Sequence, residues 1–343
     1  MAVAKYVEDK IIDWERIASF LKLSANMNQW TNFGPVSKLL EQRIHADLHL
    51  SDYLTVVTCC NATIALNVLL EMHNEIQGKN LKWIVSSYGF YCTIQGPLQE
   101  AKIVDCNSEG LLDLEQLPSE GYDGIVVTNV FGLRQNLDDY RRFCKQHQKI
   151  CICDSAKAYN GIKHEANEII SFHHTKPWGF GEGGCVIIEK RHEKLFRSLI
   201  NFGISEEKLN RKATNGKLSD LSCSYILQRL EDLPHLSPIY REQYQRIATL
   251  AQNYGFEILN DITPPPGTPS NVPLLGEYPI HDISNPYVDL RKYYKPLANT
   301  PKANEIYDRI VNFPCHPGLQ NVSDKEIKEV LNLIYKREKN LIK

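Results

Sequence analysis

Between Ser171 and Ile188 the chain reads SFHHTKPWGFGEGGCVII, one lysine, Lys176, ahead of Gly179, Gly181, Gly183 and Gly184. Gly179, Gly181 and Gly184 satisfy the G-x-G-x-x-G spacing of dinucleotide-binding loops. That spacing grips a pyrophosphate only after a strand and at the start of a helix, where the helix N-terminus faces the phosphates. Here the order is reversed. The glycines run into CVIIEK, which reads as a strand, and the helical HEKLFRSLINF follows only afterwards. The glycines are therefore read as places where the backbone passes close to something bulky, and the lysine becomes the candidate for chemistry. A lysine in a partly apolar pocket has its charged form disfavoured, so more of it is the free amine that forms a Schiff base with an aldehyde. The competing reading is a solvated surface lysine, the common fate of this residue.

Working outward, short β-rich runs recur: YLTVVT, LKWIVSS, AKIVDC, DGIVVTN, KICICD, NEIISF and GCVIIE. Several are followed by helix-like segments such as NATIALNVLLEM and LDDYRRFCKQH. The alternation predicts an α/β lobe with a large, mainly parallel sheet, whose ligand crevice lies beyond the carboxyl ends of the strands. From Ser219 to about Gln252 the pattern becomes one long helix. PPPG at Pro264–Gly267 then opens a smaller region with the strand-like NVPLL and a closing helix, SDKEIKEVLNLIYKREK. The expected division is a large α/β domain over 1–250 and a smaller α+β domain over 251–343.

The bulk numbers exclude several function classes. Against 39 Lys and Arg stand 41 Asp and Glu, and no segment gathers basic residues into a stripe that would neutralise phosphates along a nucleic acid. MAVAKYVEDKIIDWERIASF carries charge throughout, and no apolar run approaches the ~18 residues that span a bilayer. A soluble cytoplasmic protein that binds neither nucleic acid nor membrane is expected. Ten scattered cysteines include no C-x-x-C pair. Cys151 and Cys153 alternate within KICICD and would face the same side of a strand, which reads as buried free thiols in a reducing compartment.

SFHHTKPWGFGEGG resembles the SFHPTKNLGGGEGG signature of the DegT/StrS (DegT/DnrJ/EryC/StrS type) family of pyridoxal-phosphate-dependent sugar aminotransferases, with Lys176 in the cofactor-binding place. The likeness continues, in order, through TNFGPVSKLLEQRI, CNATIALNVLL, CDSAKAYNGI, TNGKLSDLSCSYILQRL and NFPCHPGL. It implies a fold-type I enzyme that moves an amino group from an amino acid, expected to be glutamate, to the keto group of a nucleotide-linked sugar. Products of this kind serve cell-surface polysaccharide biosynthesis. Pyridoxal 5'-phosphate needs an acid at its ring nitrogen. Asp154, ending the strand KICIC, matches the family's aspartate, although an aspartate there also starts turns.

For the phosphate, the resemblance implies Ala62 and Thr63 at the start of the helix in TCCNATIALNVLLEM, together with Ser171; Asn61 would otherwise simply cap that helix. Phe90 in SSYGFYC matches the family's stacking aromatic, with Tyr88 as the alternative. Asn215 in TNGKLSD matches the asparagine that reaches the phosphate of the neighbouring subunit, which implies a homodimer with shared sites. Ala62, Lys157, Tyr159 and Lys217 depart from the family pattern. The family has glycine at the first and arginine at the last. Lys157 replaces the glutamine near the cofactor's phenolic oxygen, where it would either enter the site or turn to solvent. Two other readings stay open: a sugar dehydratase relative, which carries histidine in place of the lysine, and a non-catalytic binding or regulatory protein on the same scaffold.

Overall fold

The structure, a computed structural model, describes residues 4–203, 209–260 and 264–340, with side chains through residue 336. In chain order come α1 (Trp14–Met27), α2 (Pro35–Asp47), β1 (Leu54–Cys59), α3 (Ala62–Gln77), β2 (Trp83–Ser86), β3 (Lys102–Val104), β4 (Gly124–Thr128), α4 (Asp138–Gln146), β5 (Ile150–Asp154), β6 (Glu168–Ser171), β7 (Gly184–Glu189), α5 (Glu193–Leu199) and α6 (Asp220–Gln252). β8 (Glu257–Ile258), β9 (Asn271–Leu275), α7 (Pro301–Arg309), β10 (Ile310–Pro314) and α8 (Asp324–Asn340) complete it. The seven strands anticipated before residue 200 all form, as do the strand at NVPLL and the closing helix.

Seven strands make one sheet in the order β1-β7-β6-β5-β4-β2-β3. β2 to β6 pair in parallel, while β7 runs antiparallel to both β1 and β6. The period-2 alternation of each strand divides its side chains between two cores. Val57, Val126, Ile152, Ile169 and Val186 pack beneath Ala65, Leu66 and Leu69 of α3. On the other face, Val56, Ile170, Cys185 and Ile187 pack with Leu40 and Ile44 of α2 and Ile226 of α6. Cys151 and Cys153 share one face, as their spacing predicts, and join a further cluster. All ten cysteines are free, eight of them buried. Among the described residues no helix is long and apolar enough to cross a membrane.

Local chemistry explains the helix ends that frame the site. Asn61 accepts from Ile64 N at 2.9 Å and caps α3. Ser219 caps α6 in the same way through Ser222 N. Pro234 and Pro238 lie within α6. A proline removes the bond to the carbonyl four residues earlier, and Leu230 O instead accepts from Arg43 at 3.2 Å. A three-stranded antiparallel sheet, β10-β9-β8, follows α6. One apolar cluster joins it to the large sheet, running from Ile84 and Val127 through Tyr240 and Ile247 of α6 to Val272, Phe313 and Ile334.

Candidate active site

The strand registers align Cys59 and Ser171 with Gly184, and Thr128 with Asp154, at the carboxyl edge of the sheet. Chemistry collects there because strand ends expose backbone and side chains that the sheet interior has already consumed. β6 leaves the edge at Ser171 and returns at Gly184, and the intervening loop carries Lys176. The loop is closed on itself by Phe172 N to Gly183 O and His174 N to Gly181 O, both 2.8 Å. Ser171 Oγ accepts from His173 N at 3.2 Å, and Ser171 O accepts from the buried Trp178 Nε1 at 2.8 Å.

The glycines here have concrete reasons. A Cβ on Gly179 would lie 2.3 Å from Phe172 O, and one on Gly184 would lie 2.5 Å from Ala62 N. The close approach is thus backbone to backbone, which brings the first turn of α3 against the start of β7.

Nothing in the sequence marked Lys10, yet its amine holds this loop from below. Nζ donates to His174 O at 2.7 Å, to Lys176 O at 2.6 Å, and to Gly179 O. Burial, with Arg229 nearby, brings the Lys10 amine to about 7. Arg229 donates to Pro177 O at 2.5 Å and pairs with Glu8, which also accepts from Tyr240. The rest of the N-terminal segment is bound at other points: Ala4 N to Tyr287 O at 3.0 Å, Asp289 N to Ala4 O at 2.8 Å, and His316 Nε2 with Lys5 O at 2.8 Å.

Lys176 itself is partly buried, and burial lowers its amine to about 8 against the opposing pull of Asp154 and Cys92. Asp154 is 1% exposed. Burial raises its carboxyl, opposed by the N–H of Ala156 at 3.0 Å, by Lys176 and by the Thr128 hydroxyl. Cys92 is a further member that the uniform reading of the cysteines passed over. Burial and Asp154 raise its thiol, while Thr63 and Lys176 act the other way. Thr63, Cys92, Asp154 and Lys176 are therefore brought together from α3, the loop after β2, β5 and the lysine loop.

Phe90 is 49% exposed, while Tyr88 is fully buried, donating to Tyr293 O at 2.8 Å and accepting from Tyr294 N at 3.1 Å. Of the two, Phe90 is the exposed ring, with Tyr91 tilted against it at 5.7 Å. Asn215 is exposed beside the start of α3, since Gly216 O accepts from Cys60 N at 2.7 Å. Lys217 donates to Asn215 Oδ1 at 2.6 Å and to Asn201, and stands 4.5 Å over the ring of Phe202.

With that geometry in place, the sequence profile of the DegT/DnrJ/EryC1/StrS aminotransferases matches residues 12–264. The chain belongs to the DegT/DnrJ/EryC1/StrS aminotransferase family. Over 346 aligned residues it is 22% identical to the dTDP-4-amino-4,6-dideoxy-D-glucose transaminase of Shigella dysenteriae, covering 90% of this chain and 92% of that protein. Among solved structures it resembles DesI, seen in the presence of its TDP-sugar product, with a TM-score of 0.81, 19% identity and coverage of 97% and 93% of the two chains. It also resembles Helicobacter pylori PseC, an aminotransferase of pseudoaminic acid biosynthesis, at a TM-score of 0.80, 19% identity and coverage of 98% and 99%.

Pyridoxal phosphate is the cofactor of the DegT/DnrJ/EryC1/StrS enzymes, and the residues present fit it. Lys176 supplies an amine with a depressed pKa, Asp154 a buried acid, and Gly184 an uncluttered approach to the first N–H groups of α3. The departures from the family pattern also find places. Tyr159 is buried, stacked on Trp178 at 5.7 Å and donating to Asp47 at 3.0 Å. Lys157 does not turn to solvent. It donates to Asn271 Oδ1 at 2.9 Å.

Proposed function

We propose that this aminotransferase moves an amino group from an amino acid, glutamate, to the keto group of a nucleotide-linked sugar. The observation that carries the reading is a depressed lysine amine, Lys176, within electrostatic reach of the buried carboxyl of Asp154 at the carboxyl edge of the sheet. The relative in Shigella dysenteriae and the DesI structure, named for a dTDP sugar and a TDP-sugar product, favour the substrate class. The histidine that marks sugar dehydratase relatives is replaced here by Lys176, which favours transamination. A depressed amine facing a buried acid likewise favours catalysis over a purely regulatory role.

Bound pyridoxal phosphate supplies an electron sink that requires a protonated ring nitrogen. Asp154 would keep that nitrogen protonated. The N–H groups of Ala62 and Thr63, with the hydroxyl of Ser171, would hold the phosphate, and Phe90 would supply the stacking ring. Lys176 Nζ would hold the cofactor and, once the donor amine has taken its place, its free amine would accept the proton from the donor's Cα and return one when the keto-sugar is aminated.

Asn215 serves the phosphate of a neighbouring subunit in a homodimer, a reading supported by its exposure and by Phe202 and Leu221 standing 51% and 50% exposed on the single chain. The unpaired cysteines favour a reducing, cytoplasmic setting, and the amino sugar would feed surface polysaccharide assembly.

The test is a screen of nucleotide keto-sugars with glutamate, following 2-oxoglutarate. Lys176→Ala should fold, lose the visible band of the bound cofactor and lose turnover. Asp154→Asn should retain the cofactor but turn over orders of magnitude more slowly. An unchanged spectrum and rate in Lys176→Ala would remove the assignment.

A further inference from the structure

Lys157 lies three residues past Asp154 in CDSAKAYNG, and its surroundings lack a charge that its ammonium requires. Nζ donates to Asn271 Oδ1 at 2.9 Å and stands 5.4 and 5.5 Å from the ring centres of Phe131 and Tyr293. Asn271 cannot turn its other end to the lysine. Its Nδ2 donates to Asn312 Oδ1 at 2.7 Å, and Asn312 Nδ2 donates in turn to Tyr293 O at 3.3 Å. Both asparagines are fully buried.

One of the three ammonium N–H groups is thus accounted for, and the aromatic faces cover part of the remainder. No carboxylate among the described residues pairs with Lys157. Burial, and the repulsion of nearby Lys176, hold its amine well below the ordinary lysine range, while Cys315 acts weakly the other way. With neutral partners and a like charge beside it the amine favours its neutral form, and an anion brought from outside the chain would restore the ammonium and pair with it.

We propose that Lys157 receives the α-carboxylate of the amino donor. The assignment rests on the aminotransferase reading above. The donor's reacting amine must come to the place of Lys176, and its α-carboxylate is attached to the same carbon as that amine. Two cations, Lys10 and Lys157, act on Lys176; the Lys10 amine is taken up by the carbonyls of His174, Lys176 and Gly179, whereas that of Lys157 donates to Asn271 alone. A sugar ketone bears hydroxyl groups rather than a carboxylate next to its reacting carbon, so Lys157 acts in the donor half of the reaction alone. This makes it a selector for carboxylated amines, held in place through Asn271 and Asn312 by the small sheet.

Calorimetry on the holoenzyme with glutarate, which carries two carboxylates and no amine, reads this without turnover. Lys157→Gln, whose amide can still donate to Asn271, should bind glutarate roughly 10- to 100-fold more weakly, the worth of one charge-assisted hydrogen bond. Lys157→Arg should stay within a few-fold of wild type. In steady state Lys157→Gln should raise KM for glutamate and leave KM for the keto-sugar unchanged. Unchanged glutarate affinity in Lys157→Gln overturns the proposal. If the pH titration of the holoenzyme's visible band moves in that same variant, the ammonium serves the cofactor's phenolic oxygen instead. A wild-type chain that takes up no pyridoxal phosphate overturns the aminotransferase reading itself, and is seen before any Lys157 variant is made.

Discussion

Burial brings the amine of Lys176 to about 8, with Asp154 and Cys92 resisting that fall. An ordinary lysine near ~10.4 would leave only about 1 amine in 2,500 free at pH 7, whereas one near 8 leaves roughly 1 in 10. Lowering the pKa of a lysine favours the free form, so raising pH should accelerate capture of pyridoxal phosphate only until the amine is fully deprotonated. The rate at which the visible band appears on cofactor-free protein should therefore rise to a midpoint near pH 8 and then level off. A rate that keeps climbing toward pH 10 would show Lys176 to be an ordinary surface amine. The loop of Lys176 and the strand end of Asp154 were legible in the sequence, the one from the glycines that follow the lysine and the other from the β-rich KICIC that precedes the aspartate. Cys92 and Lys10 were not, since their roles come from segments that meet only in three dimensions.

At the scale of elements, the start of β7 and the start of α3 are packed so closely that Gly184 has no room for a side chain. Gly184→Ala should push the first turn of α3 away from the phosphate place, costing about 1–3 kcal/mol of stability, as overpacking does. Its affinity for pyridoxal phosphate should fall as well. Gly181 provides the control: it has φ +64° and open space around it, so Gly181→Ala meets only backbone strain and should leave cofactor affinity near wild type. Equal losses in equilibrium cofactor titrations of the two variants would contradict this account. Strand positions were readable from β-branched runs and their flanking turns. The order β1-β7-β6-β5-β4-β2-β3 was not, because pairing depends on contacts between distant segments. We also propose the division into a larger lobe over 1–250 and a smaller one over 251–343, which falls within the last turn of α6, although one apolar cluster continues across that point.

For the whole molecule, the proposal that Asn215 acts on a neighbouring subunit predicts rescue between defective chains. Mixed Lys176→Ala and Asn215→Ala subunits should form heterodimers in which one site carries both defects and the other carries neither. Activity in the mixture should then exceed that of either parent. Exchange of subunits, shown by mass, without any rescue would place Asn215 within its own site. The N-terminal segment has another consequence, one of reach. Ala4 and Lys5 find their partners at Tyr287, Asp289 and His316, and Lys10 finds its own at His174, Lys176 and Gly179. One short stretch of backbone is therefore pinned at one end to the smaller sheet's side of the molecule and at the other to the lysine loop. A change at His316 would thus be felt, through that stretch, at the loop that carries Lys176.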